Sequence, residues 1–385
     1  LADLRAYLRW RVLDELRGAL PGALGDTAQR FAATAGLERA SRYEECRHET
    51  LVAMGVELSR QYAARALGAA ARDQATSDAQ QVQGEIAATV GATPWLSPGA
   101  RAAAAAKIAT MILKVGFPTT WPVTDTSPVS PDDLLGNVIT ARAFAQARSW
   151  QRVHAERRRD TWENEVWPNE AYGMAAARLS VPGAFPDPFA NSILFTAAFL
   201  RAPIYDVRAP LEVRLGGFGA VVGHEIMHAL DFHEIDDHGE LHDTFSAADA
   251  RAHEAKLACL VDAGNEFAID GVHLDGKHTL GENDGDYGGV RHAFAALAKV
   301  RGGELAVKGG DGFTVAQRFF IAYAQHWCQA VRPAQAVEEM KQDSHAPPRF
   351  RVNGPLASLP AFAQAFACPA GSAMVRPAAN SCAVW

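Results

Sequence analysis

The chain has 385 residues, enough for two domains and a substantial core, and its 48% hydrophobic and 21% charged residues are ordinary for a globular protein. A net charge of −7 without a long basic run argues against a nucleic-acid surface, and no run of 18 apolar residues is present to span a membrane.

In chain order, residues 1–115 read as almost entirely helical. LADLRAYLRWRVLDEL, RYEECRHETLVAMGVELSRQYAARALG and SPGARAAAAAKIATMILKVG space apolar residues three and four apart, the last with a Ser-Pro start and a Gly stop. The first of these carries both charge signs and lacks the apolar core and cleavage site of a secretory signal, so any targeting signal is expected outside the sequence. Residues 116–135, GFPTTWPVTDTSPVSPDDLL, are rich in Pro, Ser, Thr and Asp and read as a linker. A helix is predicted over 136–158. SILFTAAFL (192–200) and APLEVRL (209–215) fit strands or buried segments, next to the turn-forming VPGAFPDPFAN (181–191). Helical periodicity returns at 217 and dominates the remainder. The expected fold class is mainly α with a small β component.

Five cysteines, Cys46, Cys259, Cys328, Cys368 and Cys382, are scattered without a C-x-x-C pair, which disfavours zinc-ribbon and thioredoxin readings. They fit either reduced thiols or disulfides with at least one partner beyond this chain.

The chemistry is concentrated in GAVVGHEIMHALDFHE, residues 219–234. On a helix His224 and His228 share one face and can turn ring nitrogens toward one ion. Glu225 sits about 100° round from His224, placed for a metal-bound water rather than for the metal. A catalytic zinc needs a third protein ligand, and TLGENDGDYGG (279–289) offers Glu282, with Asp286 four residues on to hydrogen-bond a ligand histidine. The competing reading of that stretch is a solvated acidic turn. His233, His238 and His242 follow the first motif in HEIDDHGELHD, but no glycine and histidine stand where a metzincin needs them, so this stretch reads as a solvated loop.

With these pieces together the chain resembles the neprilysin and endothelin-converting-enzyme family of zinc metallopeptidases. VVGHEIMHALD is similar to the family's zinc helix and LGENDGDYGG to its second ligand helix. NSILFTAAFLRAPIYD resembles its NxIxFPAxxLQPPFFD segment, FFIAYAQHWCQAVRP and DSHAPPRFRVNGPLASLPAFAQAFAC its C-terminal core, and CAVW its terminal Cys-x-x-Trp. LRAYLRWRVLDE and RYEECR also have counterparts, so the likeness runs from residue 1 to 385.

The resemblance implies a thermolysin-like gluzincin domain at 136–385, a linker at 116–135 and the later part of a helical cap domain at 1–115. It implies a zinc endopeptidase acting on small peptides, with one zinc ion on His224, His228 and Glu282 and with Glu225 as general base; a catalytically silent peptide-binding relative is the alternative. Asp231 and Asp286 look like the carboxylates that orient the histidines, His345 like the oxyanion stabiliser and Arg351 like the substrate-binding arginine. The family's substrate-pairing strand, Asn-Ala-x-Tyr, is similar to NEAYG (169–173), which points to Asn169 and Ala171 and leaves MAAARLSVPGAFPDPFA as an insertion. The FPA triplet is FTA at 195–197. The family pattern pairs Cys259 with Cys382, and Cys46, Cys328 and Cys368 with cysteines of an N-terminal half expected as a separate chain or fragment. Disulfides imply an extracytoplasmic location.

Overall fold

The structure, a computed structural model, describes the chain except residues 35, 37–40, 125–128, 154–158, 163–177, 189, 231–232, 236–240 and 244. Among the described residues the first seven α-helices are α1 (Ala2–Glu15), α2 (Gly22–Thr34), α3 (Arg42–Ala53), α4 (Gly55–Ala66), α5 (Ala69–Gly91), α6 (Pro98–Ala109) and α7 (Leu134–Arg152). The chain divides into two compact units, one of residues 1–66 with 117–181 and one of 67–116 with 182–385. Within these units α5 and α6 belong with the motif-bearing residues, and α7 with α1–α4. Local periodicity marks helices but carries no record of which core each one joins.

In the first unit α3 opens with a capping box, Ser41 and Glu44 each satisfying the other's backbone N–H. Glu49 is buried and takes a 3.3 Å contact from Arg142 of α7. By contrast α1 buries no residue and exposes Leu4, Tyr7, Leu8 and Trp10.

In the second unit α5 buries Ala75, Ala79, Val82, Ile86 and Val90, an apolar stripe at three- and four-residue spacing. Helix α6 starts on the Ser97 cap with Pro98 in its first turn and stops at Ala109. The predicted helix through Gly116 is therefore wrong at its end: Ile112–Gly116 forms strand β1. Its backbone is taken by β3 (Ser192–Thr196), which pairs parallel with it from Ile112↔Ser192 to Gly116↔Thr196, a long-range partner that local periodicity cannot reveal. On the other side of β3 lies β2 (Ala184–Asp187), antiparallel. Every residue of the central strand is buried, as suits a short continuous apolar run. The turn-like composition of 181–191 conceals β2, whose Pro186 is tolerated because β2 is an edge.

The run at 209–215 is not a strand. Leu211–Arg214 is a short helix that passes through a π-helical turn, Leu215–Gly219, into the helix Ala220–His228. Arg214 reaches Asp78 of α5 with Nε at 2.7 Å and Nη2 at 3.2 Å, and Tyr205 donates its hydroxyl to the same carboxylate at 3.2 Å. Beyond the motif, His233–Ile235 (β4) and Leu241–Asp243 (β5) pair antiparallel, so the expected loop contains a two-stranded ladder. A disulfide joins Cys259, on the helix Ala247–Asn265, to Cys382, with Cα atoms 5.6 Å apart. Among the described residues no helix is long and apolar enough to cross a membrane.

Candidate metal centre

The two histidines are aimed by the apolar side of their helix. Val222, Ile226 and Met227 are buried in the core, which holds His224 and His228 together on another face. Glu282 and Asp286 come from the helix Leu280–Val300, Glu282 in its first turn and Asp286 one turn later. Asp286 is 3% exposed.

Glycines bring these two helices into backbone contact. A Cβ on Gly223 would lie 2.7 Å from Gly289 Cα; one on Gly289 would lie 2.5 Å from the Ala220 carbonyl oxygen. A Cβ on Gly285 would lie 2.6 Å from His224 Nδ1. Any side chain at these places would separate the helices and carry Glu282 away from the histidines.

The approach makes three donor atoms converge. His224 Nε2 lies 3.0 Å from His228 Nε2 and 3.2 Å from Glu282 Oε2, and His228 Nε2 lies 3.6 Å from Glu282 Oε1. A tetrahedral zinc with bonds of about 2.0–2.1 Å sets its ligand atoms about 3.3 Å apart, so this donor set fits zinc in both chemistry and spacing. Asp286 Oδ1 is 2.9 Å from His224 Nδ1. An ionised carboxylate only accepts, so Nδ1 donates and the Nε2 lone pair is left for the convergence point. Arg351 closes the chain of contacts, donating from Nε and Nη2 to Asp286 at 2.7 and 2.8 Å. Its guanidinium stacks 4.0 Å above the Trp327 ring.

Electrostatics favour a cation between these groups. Burial opposes charge on His224, but hydrogen bonds to Asp286 and Glu282 outweigh it and raise its pKa to about 9. Burial likewise opposes charge on Glu282, yet His224, His228 and His345 hold its carboxyl far below the usual range. Against burial, Arg351 and His224 keep Asp286 low. Glu225 moves the other way: burial raises it, with help from the Glu282 charge and against His224, His228 and Arg351.

Two sequence profiles of peptidase family M13 match the chain, over residues 183–382 and 1–118. The chain belongs to peptidase family M13. This M13 chain is 27% identical over 398 residues to an endothelin-converting enzyme homolog of Locusta migratoria, covering 99% of the chain and 52% of that relative. It is 38% identical over 213 residues to membrane metallo-endopeptidase-like 1 of Mus musculus, covering 54% of the chain and 28% of the relative. Among solved structures it resembles the Mycobacterium tuberculosis zinc metalloprotease Zmp1 in an open state, with a TM-score of 0.87 at 28% identity, over 100% of this chain and 59% of that one. The M13 chain thus spans about half the length of the locust relative, 52%.

The other residues singled out from sequence fall as follows in the M13 chain. His345 places Nε2 3.1 Å from Glu282 Oε2 and Nδ1 2.7 Å from Asp343, so it leans on the cluster rather than standing apart as a free donor. The Glu282 contact raises the His345 pKa against partial burial, with Asp343 adding to the rise. Arg351 is buried and engaged with Asp286, not a loose surface cation. Asp231, Asn169 and Ala171 lie outside the described residues. A cavity of about 300 Å³ opens beside His224 and Glu225, walled in part by Phe199, Val221, Tyr323, His326 and Trp327, with Ala184 of edge strand β2 at its rim. Sequence reasoning missed the three glycines at the crossing. Their signal was present, since glycines inside VVGHE and DGDYGG interrupt otherwise helical patterns. The cavity walls had no comparable signal.

Proposed function

We propose that this chain carries the catalytic centre of a zinc endopeptidase that hydrolyses peptide bonds of small peptides, with one zinc ion on His224, His228 and Glu282. The observation that carries the reading is the convergence of those three donors, 3.0–3.6 Å apart, with Glu225 next in sequence to His224. Zinc bound there supplies a Lewis acid for the scissile carbonyl and an acidified water. Glu225, its carboxyl raised by burial, would accept a proton from the attacking water and pass it to the leaving amine. Asp286 holds His224 in the ligating tautomer. His345, its pKa raised by the Glu282 contact and by Asp343, is placed to steady negative charge developing on the carbonyl oxygen. Arg351, anchored on Asp286, offers its remaining N–H groups to a substrate carbonyl or carboxylate.

For backbone pairing the observed edge strand is the better candidate than Asn169 and Ala171. Strand β2 is the outer strand of the order β1-β3-β2 among the described residues, with Ala184 in the cavity lining. We assign the catalytic role to the unit of 67–116 with 182–385 and the cap role to 1–66 with 117–181. An extracytoplasmic location is supported by the Cys259–Cys382 disulfide. A companion N-terminal segment is supported by the unpaired Cys46, Cys328 and Cys368 and by the apolar surface of α1.

The deciding experiment is cleavage of a fluorogenic peptide library by the wild type and by Glu225→Gln, with and without chelator. Wild-type cleavage abolished by chelator and reduced by about 10²-fold or more in the variant is expected. Zinc binding with equal inertness of both proteins would instead identify a silent peptide-binding relative.

A further inference from the structure

The cavity beside His224 and Glu225 has mainly apolar walls, among them Phe199 and Val221, and also carries polar rings that the proposed mechanism does not use, His326 among them. His326 ends the helix Val315–His326 and forms part of the cavity lining. Its ring is held edge-on by Phe199 at 6.2 Å and by Trp327 at 4.5 Å. Its Nδ1 is buried and has no hydrogen-bond partner among the described residues. Burial first, and the Arg351 cation second, lower the ring's pKa to about 4, so near neutral pH the imidazole has one donor and one acceptor nitrogen.

We infer that His326 is a specificity-determining residue: the cavity takes a peptide side chain with an aromatic body and a polar tip, tyrosine in preference to phenylalanine, its hydroxyl hydrogen-bonding the His326 imidazole. The inference rests on the peptidase reading above. A volume of about 300 Å³ admits an aromatic side chain. The apolar walls alone would not separate two rings that differ by one hydroxyl, whereas a site built to hydrogen-bond that hydroxyl rejects the ring lacking it.

The test uses the full chain with zinc and paired fluorogenic peptides carrying Tyr or Phe at each position flanking the scissile bond, with cut sites read by mass spectrometry. At one flanking position the wild type is expected to favour Tyr over Phe in kcat/KM by about 10-fold. In His326→Leu that ratio falls to about 1 or reverses, through a loss on Tyr and a gain on Phe, while His326→Gln retains part of it. A wild-type ratio near 1 at both positions overturns the inference without any variant. A ratio unchanged in an active His326→Leu overturns it as well. Failure of the wild type to cut any peptide is a different outcome, because it removes the peptidase reading and this inference together.

Discussion

Asp286 shows how much a single side chain decides in this centre. Its Oδ1 accepts from both His224 and Arg351 and its Oδ2 from Arg351, so it fixes a tautomer and neutralises a buried cation at once. Replacing it with Asn preserves the shape but removes the charge that keeps the proton on His224 Nδ1. Zinc affinity of Asp286→Asn is expected to fall about 10- to 100-fold, read by competition with a chromophoric chelator. A folded variant with wild-type affinity would show that His224 needs no such support. The residue scale was also the most legible in sequence. His224, Glu225 and His228 were identified from helix geometry alone, and Glu282 with Asp286 from a second four-residue spacing, because ligand spacing on one helix is a local property. Arg351 was legible only through resemblance, since nothing in DSHAPPRFRV says that its guanidinium will be buried against a carboxylate 65 residues away.

At the scale of elements the centre depends on how closely two helices cross. Gly289→Ala places a Cβ against the Ala220 carbonyl and the His224 backbone nitrogen, neither of which can rotate away. The variant is expected to lose about 1–3 kcal/mol of stability and to bind zinc more weakly, measured by denaturant midpoint and metal titration. Unchanged values for both would mean that the helices have slack the geometry does not suggest. A second joint ties the short helix Leu211–Arg214 to its neighbours: Glu212, almost fully buried, accepts from Arg301 at 2.5 Å and Arg318 at 2.9 Å. Burial opposes its charge, but its own backbone N–H and the two arginines hold its pKa below the ordinary 4.5. The unfolded state then binds the proton first, so this contribution is complete above about pH 5 and shrinks as pH falls through and below 4.5. Accordingly the stability gap between wild type and Glu212→Gln, from urea midpoints, should narrow on acidification; a constant gap counts against the joint. The elements themselves were partly misread from sequence. The helix predicted through Gly116 ends at Ala109, and a turn-like stretch contains β2, because strand identity depends on a partner: Ile112–Gly116 and Ala184–Asp187 both pair with β3.

At the scale of the whole molecule the prediction concerns the companion segment proposed above. Helix α1 buries nothing, three cysteines are unpaired, and the locust relative is about twice as long, the chain covering 52% of it. On non-reducing electrophoresis the native protein is expected to run with a companion segment that reductant releases. A single band of unchanged mobility, with alkylatable Cys46, Cys328 and Cys368, would remove that proposal.

The sequence by itself determined the mainly helical class, the family resemblance and the choice of His224, Glu225, His228, Glu282 and Asp286, because helix periodicity and ligand spacing are written within a few residues. Tertiary structure decided the rest. It placed α5 and α6 with the helices that carry His224 and Glu282 rather than with α1–α4, brought β1, β2 and β3 into one sheet, and set His326 on the wall of the cavity. Above all it brought Gly223 against Gly289, a contact between residues 66 apart in number whose only requirement is the absence of a side chain. Contacts of that kind are fixed by packing, and packing is settled only when the whole core has formed.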